Sequence, residues 1–171
     1  VIDADAGLMG GDIRAMKKTY NLLQQVSGRA GRANKVGKVL IQTYYPLHPM
    51  IQTFKNRDRK SFIKRSLDER KEFKVPPFIF LTAIIISSAK KSRAESYSFE
   101  IIKGYKPEKG IELLGPIEAP IFLLRGKYRY RLLLKGGSRI QLNAFTKKLL
   151  KIFPPPSDIK LVIDVDPYTF V

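Results

Sequence analysis

Residues 25–32, QVSGRAGR, combine residue types and spacings that suit phosphate chemistry. Arg29 and Arg32 stand three apart, and Gly28 and Gly31 immediately precede them. Gln25 lies one helical turn before Arg29. Glycine lets a backbone turn sharply and a ligand come close. Arginine supplies a permanently charged planar fork that matches phosphate oxygens. One reading is a pair of phosphate-sensing arginines beside a nucleoside triphosphate. The other is a solvated basic turn after a helix, because glycine and arginine both suit helix C-termini.

The full spelling QxxGRxGR resembles motif VI of the superfamily 2 helicases and translocases. That resemblance implies that Arg29 and Arg32 act as catalytic fingers on the γ-phosphate of ATP, with Gln25, Gly28 and Gly31 completing the nucleotide contact. The remaining parts of a nucleotide site are not in this sequence. No GxxxxGK[ST] loop occurs to cradle a β-phosphate, and no DExx sequence follows a strand to hold Mg²⁺. The arginines would therefore serve ATP and Mg²⁺ bound by residues outside the chain, and the chain alone is expected not to hydrolyse ATP.

Two further stretches have binding chemistry. In RGKYRYRLLLK, period-two alternation puts Tyr128, Tyr130, Leu132 and Leu134 on one strand face and Lys127, Arg129, Arg131, Leu133 and Lys135 on the other. This is either an amphipathic strand with solvated cations or a basic sheet face for nucleic-acid phosphates. In the second case Tyr128 and Tyr130, near the tip, stack on bases if that end is open. Farther on, Arg139 follows the N-cap candidate Ser138, with Asn143 one turn away on the same side. A helix N-terminus attracts anions, and an adjacent arginine adds a carboxylate-binding fork. The alternative is a solvated first-turn arginine.

The elements that must position these residues follow from the patterning. Val1–Ala6 reads as the end of a strand, where Asp3 and Asp5 are ordinary strand-end acids or a weak metal pair. Met16, Tyr20, Leu23 and Val26 form a helical stripe that Gly28 is expected to end. Lys38–Tyr45, KVLIQTYY, is β-rich and bounded by Gly37 and Pro46. Strand, helix, arginine turn and strand match the last part of a RecA-like lobe over residues 1–46. Residues 47–75 read as a basic helical connector, capped by Asp58 and stopped by Val75-Pro76-Pro77. From residue 76 to 171 the order is strand (Phe78–Ser87), helix with Ser92 and Glu95 as a capping box, an interrupted strand (Ile111–Leu114, a Gly115-Pro116 break, Ile117–Leu124), strand (Tyr128–Lys135), helix from Ser138, and strand (Lys160–Asp166). This β-α-β-β-α-β order is the split βαβ arrangement of a ferredoxin-like domain. The expected class is α/β followed by α+β.

Composition narrows the partners. The formal net charge is +17, from 32 basic and 15 acidic residues, and the excess is spread along the chain. Such an excess favours a polyanion, nucleic acid before membrane. The absence of cysteine excludes disulfides and cysteine-ligated zinc within these residues. His48 is the single histidine, so a histidine metal site or triad is not expected, and its PLHP setting suggests a turn or helix entry. No apolar run approaches the roughly 20 residues that span a bilayer. The opening VIDADAG lacks the basic start and apolar core of a signal peptide and reads as the interior of a domain, so a fragment is expected.

The arginine turn, KVLIQTYYP, PLHPMI, VPPF, LLGPIEAPI, KYRYR and IDVDPY occur in an order that resembles the C-terminal part of the primosomal replication-restart helicases, the primosomal protein N′ (PriA) family. The resemblance covers nearly the whole chain. It implies an ATP-dependent 3′-to-5′ DNA helicase that acts at stalled forks and recombination intermediates, working in the bacterial cytoplasm at the nucleoid. It implies forked and single-stranded DNA as ligands, and other primosome proteins as partners. It also implies that residues 76–171 form a DNA- and partner-binding domain, in which Arg139 and Asn143 meet the acidic tail of single-stranded-DNA-binding protein. Zinc belongs to the family's cysteine-rich insertion, which these residues lack. A free-standing nucleic-acid-binding module and a piece of another superfamily 2 helicase are the rival readings. Within the latter, Gln25 argues against an RNA helicase of the DEAD-box type, which usually carries histidine there.

Overall fold

The computed structural model describes residues 4–8, 13–30 and 38–167. The chain divides into two compact units between Phe73 and Lys74. Among the described residues the first unit contains a short 3-10 helix (Ala4–Gly7) and three α-helices: α1 (Ile13–Ala30), α2 (Pro49–Lys55) and α3 (Arg59–Glu72). Tyr20 and Leu23 from α1, Met50 and Ile51 from α2, Phe62 from α3 and Ala4 form its core. The Tyr20 and Phe62 rings stack at 4.0 Å, and Phe54 meets Tyr20 edge-on at 5.9 Å. Met50, Ile51 and Phe62, in the stretch 47–75 expected as a connector, thus help close the core that α1 begins.

Local chemistry sets the helix starts. His48 Nδ1 accepts from Met50 N at 3.2 Å and Pro49 opens α2, where a missing N–H costs nothing. Asp58 Oδ1 accepts from Ser61 N at 3.0 Å and caps α3. The Ser61 hydroxyl and then its N–H, both bonding to the carboxylate, hold the Asp58 carboxyl below the usual aspartate range.

The structure departs from three local expectations. Gly28 does not end α1: the helix continues through Arg29 to Ala30. Residues 4–7 are a 3-10 turn rather than a strand, and Lys38–Tyr45 forms no strand. Part of that stretch is bonded another way. Ala4 N donates to Gln42 O at 3.1 Å, and the buried Asp5 carboxylate accepts from Tyr44 N at 2.7 Å and from the Thr43 hydroxyl. A β-rich composition cannot make a strand without a ladder partner, and here a carboxylate takes up these donors. That role also accounts for Asp5 without a metal, while Asp3 lies outside the described residues.

The second unit has β1 (Phe80–Ser88), α4 (Lys91–Gly104), β2 (Ile111–Leu124), β3 (Lys127–Gly136), α5 (Arg139–Ile152) and β4 (Lys160–Val165). The four strands form one antiparallel sheet in the order β2-β3-β1-β4. It is the βαββαβ order read from the sequence, in a small α+β domain. Both helices cover one face. Ile84 and Ile86 of β1, with Tyr130, Leu132 and Leu134 of β3, meet Ala94, Tyr97 and Ile101 of α4 and Leu142, Phe145 and Leu149 of α5. Tyr97 Oη donates to Phe153 O at 2.7 Å, and burial pushes its phenol up to about 12.

Two details differ from the patterning. No side chain caps α4: Lys90 is its N-cap, Ser92 lies inside the first turn, and Ser88 Oγ accepts from Lys90 N at 3.3 Å. The Gly115-Pro116 break does not interrupt β2 but shifts its register between Leu114 and Ile117. Gly115 has φ +109°, and a Cβ there would lie 2.8 Å from the Arg131 carbonyl oxygen. Backbone conformation and close strand approach both require glycine at this point.

Candidate functional site

The phosphate candidates sit at the C-terminal end of α1. Gln25, Gly28 and Arg29 are exposed, and their spacing of three and four places them on one side of the helix. A Cβ added to Gly28 would meet nothing within 4 Å. The fold therefore does not demand glycine there, although glycine costs a helix interior roughly 0.5–1 kcal/mol relative to alanine. Gly31 and Arg32 lie outside the described residues. On the same helix Leu22 and Val26 are 60% and 45% exposed, an apolar strip that the described residues leave uncovered.

The basic strand is only partly what its alternation suggests. Lys127 is exposed and Arg129 half-buried, with Arg129 Nη1 donating to Ile121 O at 3.3 Å. Arg131 is 4% exposed, so it does not present a phosphate-binding guanidinium. It lies on a central strand, opposite Ile85 of β1 and Ile117 of β2. Burial pulls its pKa down, and the Asp164 carboxylate opposes that pull. Tyr130 is 5% exposed and belongs to the helix-side core, which removes it as a stacking platform. Tyr128 is half-buried and packs on Phe122 at 5.5 Å. Period two gives the face of a side chain; cover from neighbouring strands decides its exposure.

Ser138 caps α5, accepting from Gln141 N at 3.5 Å. Arg139 Nε donates to Asp166 Oδ2 at 2.7 Å, and its guanidinium lies 4.9 Å over the Phe80 ring. The fork already holds a carboxylate of its own chain. Asn143 is exposed. Other carboxylates of this unit are also engaged by cations. Arg93 grips Asp158 through Nε at 2.7 Å and Nη2 at 3.1 Å, a hydrogen-bonded pair that holds the Asp158 carboxyl low. Lys91 meets Glu118 at 3.4 Å, Lys135 meets Glu112 at 3.6 Å, and Lys148 pairs with Glu108.

Alternation alone did not reveal a bulge in the β2–β3 hairpin. The register jumps between Glu118 and Leu123, and Arg129 holds the bulged Ile121 carbonyl. Pro116 and Pro120 inside a strand were the available signal, since proline in a sheet belongs at edges and bulges. Among the described residues no group of metal-ligating side chains gathers, and no helix is long and apolar enough to cross a membrane.

Residues 71–168 match the model of the Primosomal protein N C-terminal domain. Over 170 residues the chain is 35% identical to the Replication restart protein PriA of Rickettsia conorii, covering 99% of this chain and 26% of that protein. The Bacillus subtilis protein of the same name is 36% identical over 173 residues, covering 98% and 22%. That of Haemophilus influenzae is 34% identical over 170 residues, covering 98% and 23%. This chain thus spans about a quarter of the length of the relatives it matches. With a matching domain over residues 71–168 and the βαββαβ fold it occupies, the chain belongs to the Primosomal protein N C-terminal domain family.

Proposed function

We propose that this chain is the C-terminal part of an ATP-dependent 3′-5′ DNA helicase that restarts stalled replication forks and initiates primosome assembly in the bacterial cytoplasm. The observation that carries the reading is identity of 34–36% across 98–99% of the chain to proteins named Replication restart protein PriA. In this reading residues 1–46 end the second RecA-like lobe, and the uncovered Leu22 and Val26 face the rest of that lobe. ATP and Mg²⁺ are bound by the upstream part of the protein, and zinc by its cysteine-rich insertion. Arg29 and Arg32 reach the γ-phosphate, with Gln25 beside them.

Gly28 fits this reading because bare backbone leaves room for a phosphate. Gly28→Ala should stabilise the isolated helix by roughly 0.5–1 kcal/mol, yet impair ATP turnover when placed in the longer protein. Thermal denaturation and a phosphate-release assay read the two effects separately. Equal turnover would leave Gly28 with no nucleotide role.

The second unit binds forked and single-stranded DNA through Lys127 and Arg129, with Arg139 and Asn143 taking the carboxylate tail of single-stranded-DNA-binding protein. A tail peptide would compete with Asp166 for the Arg139 fork. The DNA reading is tested by Lys127→Glu combined with Arg129→Glu, titrated against DNA at several salt concentrations. The log–log salt slope should fall by roughly 0.7–0.9 for every phosphate that these side chains neutralise. An unchanged slope and affinity would mean that these cations are merely solvated.

A further inference from the structure

The β2–β3 hairpin carries apolar side chains that its fold leaves uncovered. Ile121, Leu123 and Leu124 are 56%, 55% and 42% exposed, beside the exposed residues Arg125, Gly126 and Lys127. Their neighbour Phe122 is already engaged. Its ring packs on Tyr128 at 5.5 Å and Tyr130 at 5.6 Å, with Lys91 Nζ 5.1 Å from its centroid. The bulge is braced on both sides: Lys91 holds Glu118, and Arg129 holds the Ile121 carbonyl. Arg125 and Gly126 have φ of 51° and 72°, as a two-residue hairpin turn of type I′ requires, so the tip is narrow and preset.

A cluster of exposed apolar side chains on a braced turn marks a contact surface. Its surroundings define the occupant. Arg125, Lys127 and Arg129 surround the tip, and Lys91 neutralises Glu118 on the same hairpin. The complement is a polyanion that also offers flat apolar surface, which describes nucleic acid where bases are unstacked. Apolar side chains flanked by cations enter DNA as wedges against base steps.

We propose that the hairpin tip is such a wedge. Ile121 and Leu123 pack against the last base pair or the splayed bases where duplex DNA opens, and Arg125 and Lys127 sit on the adjoining phosphates. This rests on the DNA-binding reading above and adds to it a preference for the junction. Intact duplex exposes no base face except at its ends, so the apolar contact is made where strands separate.

The test uses the 171-residue chain, an Ile121→Ser/Leu123→Ser variant and an Arg125→Ser/Lys127→Ser variant. Each is titrated against a fork with a fluorescent adenine analogue at the junction, and against closed hairpin duplex. Wild type is expected to prefer the fork and to brighten the analogue. The apolar variant should lose the brightening and the preference while keeping the salt slope. The cationic variant should lower that slope by roughly 0.7–0.9 for every phosphate left without its cation. Matched denaturation midpoints establish that the variants fold.

Wild-type DNA binding with unchanged brightening in the apolar variant would overturn the wedge alone. No DNA binding by wild type would overturn the wedge together with the DNA reading. Binding to phosphatidylserine vesicles that needs Ile121 and Leu123, without brightening at the junction, would assign the tip to a membrane surface and overturn the wedge.

Discussion

Arg29→Ala, made in the longer protein that carries a complete nucleotide site, is expected to lower DNA-stimulated ATP turnover by roughly 10³–10⁵ while leaving ATP affinity near wild type. The split between rate and affinity identifies a finger. A guanidinium that meets charge developing on the transferring phosphoryl group stabilises the transition state more than bound ATP. Loss of binding with turnover preserved at saturating ATP would mark a ground-state contact instead. Arg29 is exposed at the end of α1, so its removal opens no cavity. Unchanged folding is therefore part of the expectation. Arg32→Ala is expected to behave alike, and if neither variant loses turnover, the basic helix end is only solvated.

The largest effect on stability is expected from Leu132→Ala. Leu132 is fully buried on a central strand, within the core beneath α4 and α5. Truncating a buried leucine typically costs about 2–5 kcal/mol, because the cavity relaxes only in part. That is a large share of the ~5–15 kcal/mol that stabilises an ordinary domain. Denaturant unfolding followed by a probe in the second unit should show a shifted midpoint. Because the first unit has its own core, a probe near Tyr20 should move less. A loss below about 1 kcal/mol would mean that the sheet–helix core is not packed as described.

The second unit was the more legible half of the chain. Its helices carry apolar stripes at spacings of three and four, β1 is a dense apolar run, β3 alternates, and Ser138 marks a helix start that the structure shows capped. Those signals are local and agree with one another. The first unit was harder to read because its signals depend on partners. KVLIQTYY has strand composition, yet Asp5 rather than a neighbouring strand receives the Tyr44 N–H. Gly28 looks like a helix end, but a single exposed glycine is tolerated where neighbouring turns continue.

The candidate sites divide along the same line. Residue types and spacing made Gln25, Gly28 and Arg29 candidates, and the helix puts them on one exposed side. Alternation also gave the face of Arg131 but not its burial, because exposure on a central strand is set by Ile85 and Ile117 on either side. Arg139 was legible as a carboxylate fork, while its partner Asp166 is 27 residues away and meets it only in the folded chain. At the hairpin bulge Arg129 donates to a carbonyl of the facing strand, an interaction that no period reveals.

The most direct measurement is ATP hydrolysis by the purified 171-residue chain with DNA present. The chain carries a pair of candidate γ-phosphate arginines and a net charge of +17, with no loop to hold a β-phosphate. The expected result is salt-sensitive DNA binding with no phosphate release, and turnover regained only in the longer protein. DNA-stimulated phosphate release by the chain alone would contradict the proposal that it is the arginine-bearing end of a larger helicase.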